Sequence, residues 1–248
     1  MTRARLAVST LLASLAFAAP ALADSATVAV ATNFAPTAEA LAADFAGATG
    51  HEITVTAGAT GKLYAQIGAG APFDAFLSAD QKTAEKLVGD GLAVADSRFT
   101  YATGQLALWS ANPGLDLSDP AAALKAATHV AVANPDLAPY GKAAMETIDS
   151  LGLTADLKDR IVLGENIGQA QTMVASGAAE LGFVAASALA GKSEGVAWPV
   201  PAASHAPIRQ DAVLLIRGEA NAAAKAFLAF LAGPEAKAAI TAAGYGVE

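Results

Sequence analysis

The sequence predicts an α/β protein of two lobes, mainly parallel sheets flanked by helices, with a ligand cleft between the lobes. Three observations predict it. Strand-like apolar runs alternate with amphipathic stretches of helical period from residue 27 to residue 185. Repeated βα units of this kind require a parallel sheet covered by helices on both faces. The last portion then breaks the rhythm with a strand followed by two helices, so the chain crosses to a second unit and returns.

The elements can be justified in order. Residues 27–31 (TVAVA) read as a strand. Residues 35–46 read as a helix, with Leu41 and Phe45 on one face and Glu39 and Asp44 on the other. Gly50 closes that helix, 52–57 is a second strand, 62–68 a short helix, 75–78 a third strand and 82–89 a helix. Further on, 104–110 (GQLALWS) is strand-like, 129–133 a strand, 142–151 a helix, 161–163 a short strand, 168–177 a helix and 181–185 (LGFVA) a buried strand. Residues 210–217 form a strand, followed by helices at 220–232 and 234–243. Pro234 suits a first turn, where its missing N–H has no partner to lose. The crossings are expected near Thr103 and Arg209. That makes 24–103 with 210–248 lobe I and 104–209 lobe II, with small ligands expected between them.

Residues 1–23 stand outside this pattern. Arg3 and Arg5 give a positive start, an apolar run covers 6–22, and Ala21-Leu22-Ala23 places small residues where a signal peptidase reads. The segment reads as a secretory signal peptide, cleaved after Ala23. The run is short for a membrane span, and no later apolar segment reaches spanning length, so no membrane insertion is expected after cleavage. The chain has no cysteine, which removes disulfides, thiolate metal sites, thiol nucleophiles and a lipid anchor from the expectation. A net charge of −8 argues against a nucleic-acid partner. It does not exclude an anionic ligand, because helix N-termini hold anions with neutral N–H groups.

Four loops share one design: each follows a strand, carries small or hydroxyl residues and opens into a helix. They are Thr32-Asn33-Phe34, Gly58-Ala59-Thr60-Gly61, residues 134–141 (NPDLAPYG), and Glu165-Asn166-Ile167-Gly168-Gln169. The first N–H groups of a helix lack an intrahelical acceptor and point along an axis of partial positive charge. Asn33 and Thr60 are placed either to cap their helices or to turn toward a ligand. Gly61, Gly141 and Gly168 permit close backbone approach. Every α/β protein has loops of this kind, so the residues alone leave ordinary caps and a shared anion site both open.

The motifs VAVATNF (28–34), GATGKLYAQI (58–67), GAPFDAFLSADQ (70–81), RFTYATGQLALWS (98–110), NPDLAPYG (134–141), ENIGQAQTMVASGAAELGFVA (165–185) and GPEAKAAITAAGYG (233–246) bear on that choice. Through them the chain resembles the periplasmic molybdate-binding proteins of ABC import systems, in the variety whose first loop carries Thr-Asn rather than Ala-Ser. The resemblance implies a type II periplasmic binding protein fold and a periplasmic, non-enzymatic protein, with a monomer as the default expectation. Molybdate, and tungstate with it, would be its ligand, an ABC permease and its ATPase its partners, with no cofactor and no metal beyond the oxyanion. It further implies that Thr32, Asn33, Thr60, Tyr140 and Ile167 hold the oxyanion, Ile167 through its backbone N–H and Tyr140 through its N–H, its hydroxyl or both. The chain departs from the family at three places. Ala185 stands where many members carry a hydroxyl-donating tyrosine, a role Tyr140 would assume; Ala59 replaces a common serine; and Lys62 is expected to point to solvent.

Other residues read as structural. His51, His129 and His205 are too scattered for a local metal site. Ser78 lacks a nucleophile elbow, and the resemblance implies that Asp80 caps a helix while Asp74 holds a loop. Trp109 and Trp198 are expected to pack. The alternatives weighed are another solute on the same fold (sulfate, phosphate, chromate or a small organic anion), a secreted hydrolase built on Ser78 or the Asp74/Asp80 pair, and a sensor or adaptor.

Overall fold

A computed structural model describes residues 24–248, so the signal peptide read at 1–23 lies outside the described residues. In chain order the elements are β1 (Ser25–Ala31), α1 (Ala35–Thr49), β2 (Glu52–Gly58), α2 (Thr60–Gly68), β3 (Ala75–Leu77), α3 (Gln81–Gly89), β4 (Phe99–Gly104) and β5 (Leu106–Ser110). There follow α4 (Pro120–Ala126), β6 (Val130–Ala133), α5 (Pro139–Ser150), α6 (Thr154–Leu157), β7 (Ile161–Gly164), α7 (Ile167–Ala175) and β8 (Leu181–Ala185). The chain ends with β9 (Val196–Pro199), β10 (Ile208–Leu214), α8 (Ala222–Leu231) and α9 (Pro234–Ala242).

Local chemistry sets the helix limits. In α1 the buried Ala38, Leu41, Ala42 and Phe45 repeat at helical spacing on one face. The helix stops at Gly50, whose φ of 77° lets its N–H turn back to the Ala46 carbonyl. Asp80 caps α3 by accepting from the Thr83 N–H at 2.7 Å. Asn166 caps α7 through the Gln169 N–H, and Asn221 caps α8 through the Ala224 N–H.

Two five-stranded sheets result, with strand orders β2-β1-β3-β10-β4 and β7-β6-β8-β5-β9. Each has a parallel centre made by its βα units, β1 with β2 and β3, and β6 with β7 and β8. Each also has antiparallel members where the chain arrives from the other sheet: β10 against β3 and β4, and β5 against β8 and β9. The chain leaves the first sheet after Gly104 and joins the second at Leu106, then comes back between Pro199 and Ile208. The outgoing and returning strands pair with each other, Gly104 opposite Ile208 and Thr103 opposite Arg209.

Strand periodicity divides the cores. Val28 and Val30 face one apolar cluster of the first sheet and Ala29 the other. In the second sheet Leu106, Leu108, Val130 and Val132 face one cluster, while Ala107, Trp109 and Ala131 face the opposite one. Trp109 is buried there and Trp198 packs against the other cluster, so both tryptophans serve packing. No helix among the described residues is long and apolar enough to cross a membrane.

β4, β9, α4 and α6 were not legible as separate elements in the sequence. β4 runs into β5 with one residue between them, so the apolar pattern continues across the change of sheet. β9 is a short edge strand ending in Pro199, which lacks a donor and is tolerated only at an edge. Leu108 is fully buried at the centre of β5. Leu108→Ala is expected to lower unfolding free energy by about 2–5 kcal/mol, measured as a fall in the denaturant midpoint.

Candidate ligand-binding site

The four loops converge. Thr32, Asn33, Thr60, Tyr140 and Ile167 all line one small cavity. No residue lining it is charged. Its walls are helix beginnings: Phe34 is the N-cap of α1, Ala59 of α2, Ala138 of α5 and Asn166 of α7. The backbone N–H groups of Asn33, Thr60, Tyr140 and Ile167 find no backbone acceptor among the described residues. For Thr60, Tyr140 and Ile167 this freedom follows from position, since a first helical turn has no preceding carbonyl to bond.

Side chains add to these donors. The Thr32 hydroxyl oxygen is buried and has no partner among the described residues. The Thr60 hydroxyl accepts the Ala79 N–H at 3.3 Å, which occupies its oxygen and leaves its hydrogen to donate elsewhere. Neither Asn33 nor Thr60 caps a helix, because the chain turns one residue away from each, at Phe34 and Ala59. The Asn33 amide instead donates to the Gln210 side-chain carbonyl at 2.7 Å. Tyr140 lies in the first turn of α5, which begins three residues earlier than its apolar pattern implies because Pro139 opens it. Its ring is buried in the core of the second sheet, and burial pushes its hydroxyl well above the usual tyrosine range. That hydroxyl therefore stays protonated at neutral pH, as does the Tyr101 hydroxyl for the same reason.

The loops touch one another as well as the cavity. Gly61 donates its N–H to the Leu137 carbonyl at 2.9 Å, joining the second loop to the third. At Gly168 a Cβ would come within 2.7 Å of the Thr32 methyl, so only glycine lets the first and fourth loops meet this closely. Lys62 is not directed to solvent alone: its ammonium pairs with Glu165 at 2.6 Å, linking the second and fourth loops. The pair sets a cation against the one carboxylate of the fourth loop.

A larger cavity of about 290 Å³ adjoins the small one and shares Thr32, Asn33 and Ile167 with it. Ala185 lines it, where a tyrosine at that position would take up much of the space. Gln210, Tyr101 and Tyr245 were missed by sequence reasoning. They form a buried polar cluster behind Asn33, with the Tyr245 hydroxyl donating to the Asn33 carbonyl at 2.6 Å. The available signal was the pair Gln210-Asp211 entering an otherwise apolar strand.

The acid–base alternatives find no assembled machinery here. The Asp74 carboxylate accepts the Thr27 N–H at 2.8 Å and Asp80 is the α3 cap, so both are engaged in structure. The Ser78 hydroxyl lies 3.3 Å from that same Asp80. Asp80 borders a separate groove with Lys82, Lys142 and Glu146. Among the described residues no three metal-ligating side chains are grouped to hold an ion.

The family model for bacterial extracellular solute-binding proteins matches residues 26–246. The molybdate-binding protein ModA of Azotobacter vinelandii is 49% identical over 226 residues, 89% of each chain. That of Rhodobacter capsulatus is 47% identical over 232 residues, 93% of this chain and 92% of the relative. Among solved structures, the Azotobacter vinelandii periplasmic molybdate-binding protein superposes with a TM-score of 0.85 at 44% identity, covering 90% of this chain and 99% of that one. With a two-sheet fold, a cavity of convergent helix starts and relatives this similar over nearly its whole length, the chain belongs to the bacterial extracellular solute-binding protein family.

Proposed function

We propose that this protein is the periplasmic solute-binding component of an ABC import system and that its solute is molybdate, with tungstate accepted alike. The observation that carries this reading is the uncharged cavity where four helix starts bring unpaired N–H groups, together with the buried, unpartnered Thr32 hydroxyl. The names of the relatives supply the choice among oxyanions. Thr32, Asn33, Thr60, Tyr140 and Ile167 are the assigned ligand set.

A tetrahedral dianion gains from every donor aimed at it. Each charge-assisted bond contributes about 1.5–3 kcal/mol net. Micromolar to nanomolar affinity needs about 8–12 kcal/mol. Several such bonds cover that even after the cost of immobilising the guest. Size gives selectivity: molybdate and tungstate share nearly one radius, whereas sulfate is smaller and leaves some donors of a rigid cage unreached.

The assigned lobes are 24–103 with 210–248 and 104–209. In the open form the loops of each lobe face water. The anion bridges them and favours the closed form. No bond is made or broken. The closed, loaded protein, a monomer released by cleavage after Ala23, is then presented to the permease and its ATPase.

Calorimetric titration with molybdate, tungstate, sulfate and phosphate tests the solute. Heat from molybdate and tungstate is expected; heat from sulfate alone would overturn the assignment. Thr32→Val removes a hydroxyl that bonds nothing among the described residues while keeping the side chain's shape. It is expected to cost about 1.5–3 kcal/mol of molybdate affinity with no loss of thermal stability. Lys62→Met breaks the pair with Glu165 and leaves a carboxylate uncompensated near the anion. An exposed pair contributes about 1 kcal/mol or less, so affinity is expected to fall up to about fivefold, less at high salt.

A further inference from the structure

Behind the anion cavity, the two strands that carry the chain between the sheets meet the first turn of α5. Gln210 stands at this junction, fully buried, at the point where the pairing of β10 with β4 shifts register. A bulge of this kind re-aims a side chain. The Gln210 carbonyl oxygen accepts from the Asn33 amide at 2.7 Å and from the Tyr101 hydroxyl at 3.2 Å. Its amide nitrogen is buried and finds no acceptor among the described residues.

The buried Tyr140 hydroxyl likewise has no partner among the described residues. The two unpaired groups face the same gap. A Cβ on Gly104 would lie 2.1 Å from the Tyr140 oxygen and 3.1 Å from the Gln210 nitrogen. Glycine at 104 therefore makes room for the Tyr140 hydroxyl beside the Gln210 amide nitrogen, two neighbouring groups that form no well-aligned hydrogen bond among the described residues. Two such atoms left unpaired in a dry interior are uncommon, because each lost its water on folding. Tyr140 belongs to a helix of the second sheet, while Gln210 and Gly104 belong to the crossing strands. Any small shift of α5 toward the cavity carries its ring with it, because the residue whose N–H lines the cavity also bears the ring.

We propose that Gln210 is a positioning residue for the anion: its amide nitrogen bonds the Tyr140 hydroxyl when the guest draws the first turn of α5 inward, while its carbonyl oxygen holds Asn33. One side chain then fixes a donor of the first loop and a donor of the third in the loaded state. The inference rests on the reading that these loops hold an oxyanion, and it adds a residue that touches no ligand.

The test is a double-mutant cycle on molybdate binding with Tyr140→Phe, which keeps the backbone N–H, and Gln210→Leu. Tyr140→Phe is expected to weaken molybdate binding about tenfold, through faster dissociation with an unchanged association rate. The same change in a Gln210→Leu background is expected to have little further effect. Equal losses in both backgrounds overturn the proposal. A second measurement does not need the Gln210 variant to fold. In wild-type protein labelled with ¹⁵N-glutamine, one side-chain amide resonance is expected to shift and gain protection from exchange on adding molybdate, and to stay put in Tyr140→Phe. A spectrum in which no glutamine side chain responds also overturns it. Should wild-type protein give no heat with molybdate at all, the solute assignment fails instead, and the two failures are thereby told apart.

Discussion

A first helical turn has donors but no acceptors, and in water that deficit is trivial because solvent fills it. Withdraw the water and it becomes an obligation. Four helices of this protein begin around one small cavity, and of their four N-caps only Asn166 closes part of the deficit from within, through the Gln169 N–H. Everything around the cavity serves that condition. The βα units put strand ends and helix starts on the same rim, the chain crossings bring the rims of two sheets face to face, and glycine at 61 and 168 lets them approach.

Charge enters this arrangement only at its margin. The chain is acidic overall, and the cavity wall carries no ion of either sign. A guest of negative charge is thus opposed at long range and welcomed at contact, where aligned dipoles act in a medium that screens little. The long-range penalty bears on the rate of approach and is blunted by salt, since the Debye length at physiological ionic strength is about 8 Å. The contact interaction bears on how long the guest stays. Keeping cations out of the wall also keeps the empty site from carrying a buried charge with no partner.

Much of this could be read from the residues. Alternating runs such as TVAVA and LGFVA gave strands within a residue or two of β1 and β8, because a strand buried on both faces leaves an unbroken apolar signature. All five expected site residues lie on one cavity because they sit at strand ends, and the fold brings strand ends together. What escaped the sequence depended on distance in three dimensions. Nothing in the neighbourhood of Lys62 names Glu165, about a hundred residues on, as its partner. The residues leave Asn33 open between a cap and a ligand contact, whereas the turn falls at Phe34 and its amide is taken by Gln210 from the far end of the chain. The helix carrying Tyr140 starts at Pro139 rather than where the apolar period begins, a choice made by proline's fixed φ.

The two strands that cross between the sheets are hydrogen-bonded neighbours, Gly104 beside Ile208 and Thr103 beside Arg209. A pair of threads stitched side by side behaves as a ribbon. It flexes readily across its flat face but resists shearing, because each stitch fixes one thread against the other. For the closure proposed above, this pairing favours bending of both crossings together over sliding of one past the other.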